Sequence, residues 1–340
     1  MNNLFIISNE SIFENDNKYF CDNLDMKSTP EGLSDKFEVF IIARKSNKAR
    51  SHQIKVESIK SHKNLYSFLI EIFKSFKADN PKYLIFSISP FTLAACILIR
   101  VLKKKPIIFL RSDGYGEYKA ILGIIGPIIY HLMFTTASRL GNLISCRKYI
   151  LKGKIGKVIA PSQLNNNWLS NLNLPDLNLT KLLYVGRIRK EKGVFSLLDI
   201  IRNNNRNAHL SIVGAEKELK NQIKEKNVSI YEIENNEKKL IKYYDDHNIF
   251  VLPSYTEGHP MVLLESLSRL RPIIIFKEID HIIGDKIGIF VSERNEKSFF
   301  EKVDYIKKNY KNIQEEMKKN KLPTKNEFLN EFKKLIVNSN

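Results

Sequence analysis

Short apolar runs rich in Ile, Val and Phe alternate along this chain with longer amphipathic runs. Residues 4–8, 38–43, 83–87, 106–110, 142–145 and 158–160 have the length and the β-branched and aromatic content of buried strands. Between them, residues 65–77 and 92–102 carry helical spacing. So do residues 120–138, where Gly123, Gly126 and Pro127 are placed to bend the helix. Residues 165–180 are polar and Asn-rich and contain Pro175, and their later part reads as a linker. A second alternating series then begins. Strands are expected at 182–185, 210–213, 228–231, 249–252 and 272–276, with helices at 194–203, 217–226, 237–244 and 261–270. The tail, 296–337, is helical and rich in Lys and Glu.

Alternation of this kind predicts parallel sheets covered on both faces by helices. Two such series in one chain predict an α/β protein of two doubly wound, Rossmann-like domains. Ligands bind beyond the carboxyl ends of strands in sheets of this type, so the expected active site is the cleft where two sets of strand ends face each other. The length, 340 residues, is enough for two domains that each bury a proper core.

Composition narrows the partners. The formal net charge is +18, which calls for an anion: nucleic acid, a membrane surface or a phosphorylated substrate. The excess is concentrated, because residues 100–157 carry 12 basic and two acidic side chains, a net of +10. Cys21, Cys96 and Cys146 are too scattered for a disulfide framework or a clustered zinc site. The start has neither the basic region nor the long apolar core of a signal peptide, so a reducing cytoplasm is the expected home. The histidines show no metal-ligand spacing and no Asp-x-Asp pair occurs, so no metal or other cofactor is expected.

Two motifs carry chemistry. The first, Thr256-Glu257-Gly258-His259-Pro260-Met261-Val262-Leu263-Leu264-Glu265, follows the strand 249–252 and opens a helix at Pro260 or Met261. Free amides and the positive dipole end of a helix start form an anion site. Glu265, just past the first turn, can grip paired ribose hydroxyls, and Glu257 can reach a group bound further in. The alternative is that both glutamates merely complement the helix dipole. The second motif, Val185-Gly186-Arg187 with Lys192-Gly193, sets two cations beside a glycine turn at a strand end. Arg can bind a diphosphate in a forked geometry and Lys as a point charge. The alternative there is a solvated basic loop.

Taken together, these runs resemble the nucleotide-sugar-binding domain of GT-B glycosyltransferases of the large retaining family 4 type. The matching residues are Tyr184-Val185-Gly186-Arg187 with Lys192-Gly193, Ile212-Val213-Gly214, Val251-Leu252-Pro253-Ser254, and Glu257 and Glu265 at the E-x7-E spacing, with Gly288-Ile289-Phe290-Val291 trailing. The resemblance implies a GT-B fold. Residues 1–178 would be the acceptor-binding domain and 179–312 the nucleotide-sugar-binding domain, with 313–340 a helical tail packing back on the first. It implies that Gly186, Arg187 and Lys192 bind the donor diphosphate and that Glu265 holds the ribose. Glu257 with Gly258, His259, Pro260 and Met261 would hold the donor sugar, and the base would lie near residues 231–233. It also implies front-face transfer with retention. His259 replaces the family's usual apolar residue, which bears on the sugar subsite, and Leu270 stands where a Gly is usual, with an effect expected only on a turn.

On the acceptor side, the run Arg111-Ser112-Asp113-Gly114 follows the strand 106–110. Asp113 is the candidate polar or basic group there, its alternative being a cap on the next helix. Residues 120–138 hold no formal charge over 19 positions, the lower end of a bilayer span. A span would part the two domains across the membrane, which favours a buried helix or one lying in the interface. The basic surroundings point to an anionic surface. The expected activity is transfer of a sugar to a lipid-linked glycan acceptor in cell-surface polysaccharide biosynthesis. The expected place is the cytoplasmic face of the membrane, bound peripherally. The other readings are a different GT-B enzyme such as a sugar-nucleotide epimerase, or a basic nucleic-acid-binding protein.

Overall fold

The computed structural model describes residues 2–202, 208–216 and 225–339. The chain forms two compact units, Met1–Pro161 with Lys325–Asn340, and Ser162–Thr324. Of the helix expected at 217–226, residues 217–224 lie outside those described.

The first unit is built on β1 (Asn2–Asn15), whose apolar half packs both faces of the sheet. β1 continues well past the predicted end at residue 8 and turns through Asp16 and Asn17, both at positive φ, into the antiparallel β2 (Lys18–Cys21). α1 (Leu24–Leu33) leads to β3 (Phe37–Ser46), parallel to β1, and β4 (His52–Ile54) extends the β2 edge. β5 (Ser58–His62) pairs with β3. On the other side of β1 stand the parallel strands β6 (Lys82–Phe86), β7 (Ile107–Leu110), β8 (Asn142–Ser145) and β9 (Gly156–Val158). The small strands β2, β4 and β5 are only three to five residues long, and helix α1 is half polar with Pro30 inside it, so none stands out as a periodic run. α2 (Leu65–Ser75) and α3 (Pro90–Val101) cover one face, the latter entered through a Ser89–Thr92 capping box.

The expected single helix at 120–138 is broken. α4 (Gly114–Leu122) ends at Gly123 (φ +65), a 3-10 turn spans Gly123–Ile125, and α5 (Gly126–Leu140) runs back beside α4. Gly126 is required at this point, since a Cβ there would overlap the Tyr118 carbonyl.

The second unit begins earlier than the composition shift at residue 178 implies. α6 (Asn166–Leu169) plants Trp168 in its core against Tyr244. Two buried arginines then hold the following loop. Arg269 donates to the carbonyls of Trp168, Ser170 and Asn171, and Arg271 to that of Asn173. Asp245 supplies one negative charge to the pair, with both oxygens 2.9 Å from Arg269 nitrogens and one of them 3.7 Å from Arg271. Leu270, between them, sits at φ +53, a left-handed position that a branched side chain adopts only where its surroundings impose it.

The sheet of this unit has the order β12–β11–β10–β13–β14–β15, all parallel, for β10 (Thr180–Val185), β11 (Ala208–Ala215), β12 (Val228–Glu232), β13 (Ile249–Leu252), β14 (Ile273–Phe276) and β15 (Ile289–Ser292). α7 (Val194–Arg202), α8 (Glu237–Asp245) and α9 (Met261–Ser268) connect these strands. The helical tail is three helices, α10 (Glu296–Lys308), α11 (Tyr310–Met317) and α12 (Lys325–Val337). α11 belongs to the second unit, where Tyr310 donates to the Asn248 carbonyl. α12 belongs to the first, where Phe328 and Phe332 pack on Phe109. The division between units thus falls between these two helices, later than residue 313.

Removing the carboxylate with Asp245→Ala leaves two buried guanidinium groups uncompensated. We expect a loss of about 3–5 kcal/mol in unfolding free energy, measured by urea denaturation. A change below about 1 kcal/mol would show that the carbonyls alone hold the arginines.

Candidate donor site

In the second unit the strand order reverses between β10 and β13, the place where doubly wound sheets bind ligands beyond their strand ends. Both sequence motifs fall there. β10 ends at Val185, and Gly186 (φ +151) carries the chain over the sheet edge. A Cβ at Gly186 would stand 2.7 Å from the Tyr184 hydroxyl, which donates to the Arg187 carbonyl at 2.9 Å. Gly214 (φ +119), near the end of β11, lies against the backbone of Gly186, where a Cβ would overlap its carbonyl oxygen. The two glycines therefore bring adjacent strand ends into backbone contact and hold the turn. Arg187 is exposed, and its side chain has no ion pair among the described residues.

Lys192 ends a short 3-10 turn, Lys190–Lys192, and Gly193 (φ +66) closes that turn just before α7. A Cβ at Gly193 would overlap the Pro253 carbonyl oxygen, so only glycine lets this loop meet the one after β13. Tyr255 N–H donates to the Glu191 carbonyl at 2.9 Å and ties the same two loops. Lys192 and Glu257, assigned separate roles from the sequence, are joined. Lys192 Nζ is 2.6 Å from Glu257 Oε1, and the same oxygen accepts from buried Ser254 at 2.6 Å. The lysine thus reaches the site already oriented by a carboxylate.

α9 begins at Met261, with Pro260 at its N-cap rather than in its first turn. Proline has no side-chain acceptor, and no side chain caps the opening amides of this helix. Gly258 is buried, His259 half-buried, and His281 Nε2 lies 3.1 Å from the Glu257 carbonyl. Glu265 follows one turn into α9 and is 6% exposed. Its Oε2 accepts from the Tyr244 hydroxyl at 2.8 Å. Burial raises the Glu265 carboxyl to about 7, opposed by the Tyr244 hydrogen bond and reinforced by the charge of Glu237. At the end of β12, Tyr231 packs on Tyr243 with ring centroids 5.0 Å apart.

One organising residue carried no sequence signal. Arg294, beyond β15, donates to the Pro253 carbonyl and Ser196 Oγ at 2.8 Å each and lies 3.3 Å from the Ser254 carbonyl. Glu278 pairs with its Nε at 2.8 Å, and its guanidinium lies 4.0 and 4.3 Å from the centroids of Tyr255 and Phe276. Its local sequence, Ser292-Glu293-Arg294-Asn295, reads as an ordinary surface turn. Asp113 lies in the first unit, where it caps α4 by accepting from Tyr115 N–H at 3.2 Å. That is the capping role offered above as its alternative.

Residues 171–322 match the family model of glycosyl transferases group 1. No curated protein sequence matches the chain significantly. Among solved structures, Anabaena HepE in complex with UDP and glucose aligns with a TM-score of 0.69 and 12% identity, over 99% of this chain and 100% of that one. Sucrose-phosphate synthase from Thermosynechococcus elongatus aligns with a TM-score of 0.65 and 14% identity over 98% of both chains. WaaG, a glycosyltransferase involved in lipopolysaccharide biosynthesis, gives 0.63 and 15% over 98% of this chain and 100% of that one. At such identities the likeness establishes the fold, which is GT-B.

The raised carboxyl of Glu265 gives a stability prediction. In the unfolded chain a glutamate titrates near 4.5, whereas here it titrates at about 7. The stabilisation from its neutral form is complete below about 4.5 and is lost as pH rises through about 7. Glu265→Gln keeps an acceptor for Tyr244 and does not ionise. The variant is expected to gain melting temperature relative to the parent between pH 5 and pH 8. An unchanged difference across that range would mean that Glu265 titrates as an ordinary carboxylate.

Proposed function

From the premise that the chain is a glycosyltransferase with a GT-B fold and a group 1 domain over residues 171–322, we propose that it moves a sugar with retention from a nucleotide-sugar donor to a lipid-linked glycan acceptor. The process served is cell-surface polysaccharide biosynthesis. The observation that carries the donor half is the meeting of both motifs at one sheet switch point, with Lys192 bonded to Glu257 there. HepE, of the same fold, is solved with UDP and glucose and with UDP-glucose, which favours a UDP-sugar among donors.

In this reading the donor diphosphate lies between Arg187, Lys192 and the opening amides of α9. The ribose hydroxyls meet Glu265, and the sugar lies by Glu257 and residues 258–261. As the glycosyl–phosphate bond lengthens, negative charge grows on the leaving diphosphate. Fixed cations and helix amides stabilise charge that develops in this way, because they need no reorganisation when it appears. The Ser254 and Glu257 contacts limit the freedom of Lys192 before the reaction begins. Glu265 binds hydroxyls best as an anion, so donor affinity weakens as pH falls below about 7. The chemistry runs without a metal ion, and activity is expected to persist in excess EDTA.

A phosphate-bearing acceptor is supported by the first unit. Nε and Nη1 of Arg111 are buried and have no hydrogen-bond partner among the described residues, and the guanidinium stands 5.0 Å from the Phe86 centroid. Two buried guanidinium nitrogens without an acceptor, on a half-buried arginine, favour an anion there. Arg111 follows β7 directly and lies two residues before Asp113, the candidate acceptor-side group. WaaG and the galactosyltransferase WaaB, both named for lipopolysaccharide, share the fold. The reading places the enzyme at the cytoplasmic face of the membrane. Its thiols, Cys21, Cys96 and Cys146, are free and buried, and burial pushes each up to about 12, which keeps them protonated and unreactive.

Thermal denaturation with UDP-, GDP- and ADP-sugars tests the donor assignment. One class should raise the melting temperature by mass action, and Arg187→Ala should weaken that donor roughly 10- to 100-fold, the worth of a charge-assisted contact. No response to any nucleotide sugar would remove the reading. Conversion of the donor sugar without any acceptor would replace it with an epimerase.

A further inference from the structure

We propose that the helical hairpin of α4 and α5 is a shallow insertion element that seats the enzyme on an anionic bilayer without crossing it. The proposal deepens the membrane-face reading above. Residues 114–140 are long and apolar enough to span by length and composition, with only 28% of the most apolar window buried. The structure removes that option. Gly123 and the 3-10 turn reverse the chain, so the longest continuous helix is α5, at 15 residues. At 1.5 Å per residue it is about 22 Å long, short of a hydrocarbon core of about 30 Å.

Nor is the hairpin a core element. One face is tied down by Tyr130, Met133, Phe134 and Ala137, all buried. Tyr115 and Tyr118 of α4 pack on Tyr130 with centroids 4.9 and 5.3 Å apart. The opposite face presents large aliphatic side chains to the outside. Ile121 is 74% exposed, Ile124 88%, Ile128 62% and Leu132 65%. In α5, Ile128 and Leu132 stand four residues apart and so share a face, and Ile121 and Ile124 lead to it through the turn. Soluble proteins seldom leave a contiguous patch of this kind uncovered.

Charge identifies the occupant. Lys119 and Arg139 flank the charge-free stretch, and Lys152 reaches the hairpin with its ammonium 5.3 Å from the Tyr115 centroid. Cations along and behind an uncharged aliphatic tip, outnumbering the one exposed acid of the hairpin, Glu117, match anionic headgroups around acyl chains. A second protein copy would leave those like charges facing each other.

The test is flotation with vesicles of phosphatidylcholine alone and of phosphatidylcholine with about a third phosphatidylglycerol. The wild-type chain should float with the anionic vesicles, and Ile124→Asp/Ile128→Asp should lose at least tenfold in partitioning while its thermal response to the donor stays intact. Both substituted side chains face outward, so folding should be preserved. As a second measurement, Ile124→Trp should show a blue-shifted emission on anionic vesicles. Failure of the wild type to float, equal flotation by the double variant, or vesicle-free dimerisation that the double variant abolishes would each overturn the proposal. None of these results touches donor binding, which the thermal response reads separately.

Discussion

The carbonyl of Pro253 is the point on which the candidate site of the second unit depends. Gly193 must approach it with no Cβ, and Arg294 must donate to it, for the loops after β10 and β13 to stand where they do. From that contact the rest follows. Lys192 precedes the glycine and reaches Glu257, Ser254 follows the proline and shares the same carboxylate, and Tyr255 closes the junction on Glu191. Parallel strands put both loops at the same edge, but strand geometry fixes neither to within hydrogen-bonding distance. The glycine and the half-buried Arg294 guanidinium do so.

A similar economy runs through the rest of the second unit. Arg269 and Arg271 would be expensive to bury alone. They are bonded to Asp245 and to carbonyls of residues 168–173, and so fix the segment where the chain enters the unit. Tyr244, one residue before Asp245, holds Glu265. One end of α8 thus serves both the entering chain and the Glu265 carboxylate, which links the stability of the unit to the geometry of its candidate site.

In the first unit the constraint is glycine again. Gly123 and Gly126 fold an apolar stretch back on itself, and Gly114 lets α4 lie against the Tyr130 ring. A continuous helix of the same composition would have carried its apolar surface all round. The hairpin divides that surface into a face that packs on the unit and a face that does not. The +18 of the chain, read at first as a call for some anion, divides likewise. Arg187 and Lys192 belong to the donor reading, and Lys119, Arg139 and Lys152 flank the apolar hairpin.

Periodicity alone determined the α/β class and the two series of parallel strands, because buried parallel strands must be short, apolar and β-branched. The spacing of Glu257 and Glu265, with Gly186, Arg187, Lys192 and Gly193, located the candidate site, because a loop and a helix start at a strand end are read from local residues. Other features needed tertiary structure, since each rests on contacts between positions far apart in the chain. The joining of Lys192 to Glu257 spans 65 positions, and the bond from Arg294 to Pro253 spans 41. The burial of Glu265 against Tyr244, the left-handed Leu270 between two buried arginines, and Trp168 drawing a polar segment into a core are of the same kind. Local sequence records what a residue can do. Which partner it meets is set by how strands and loops pack, and the hairpin's outward face became visible only when its inward face was found.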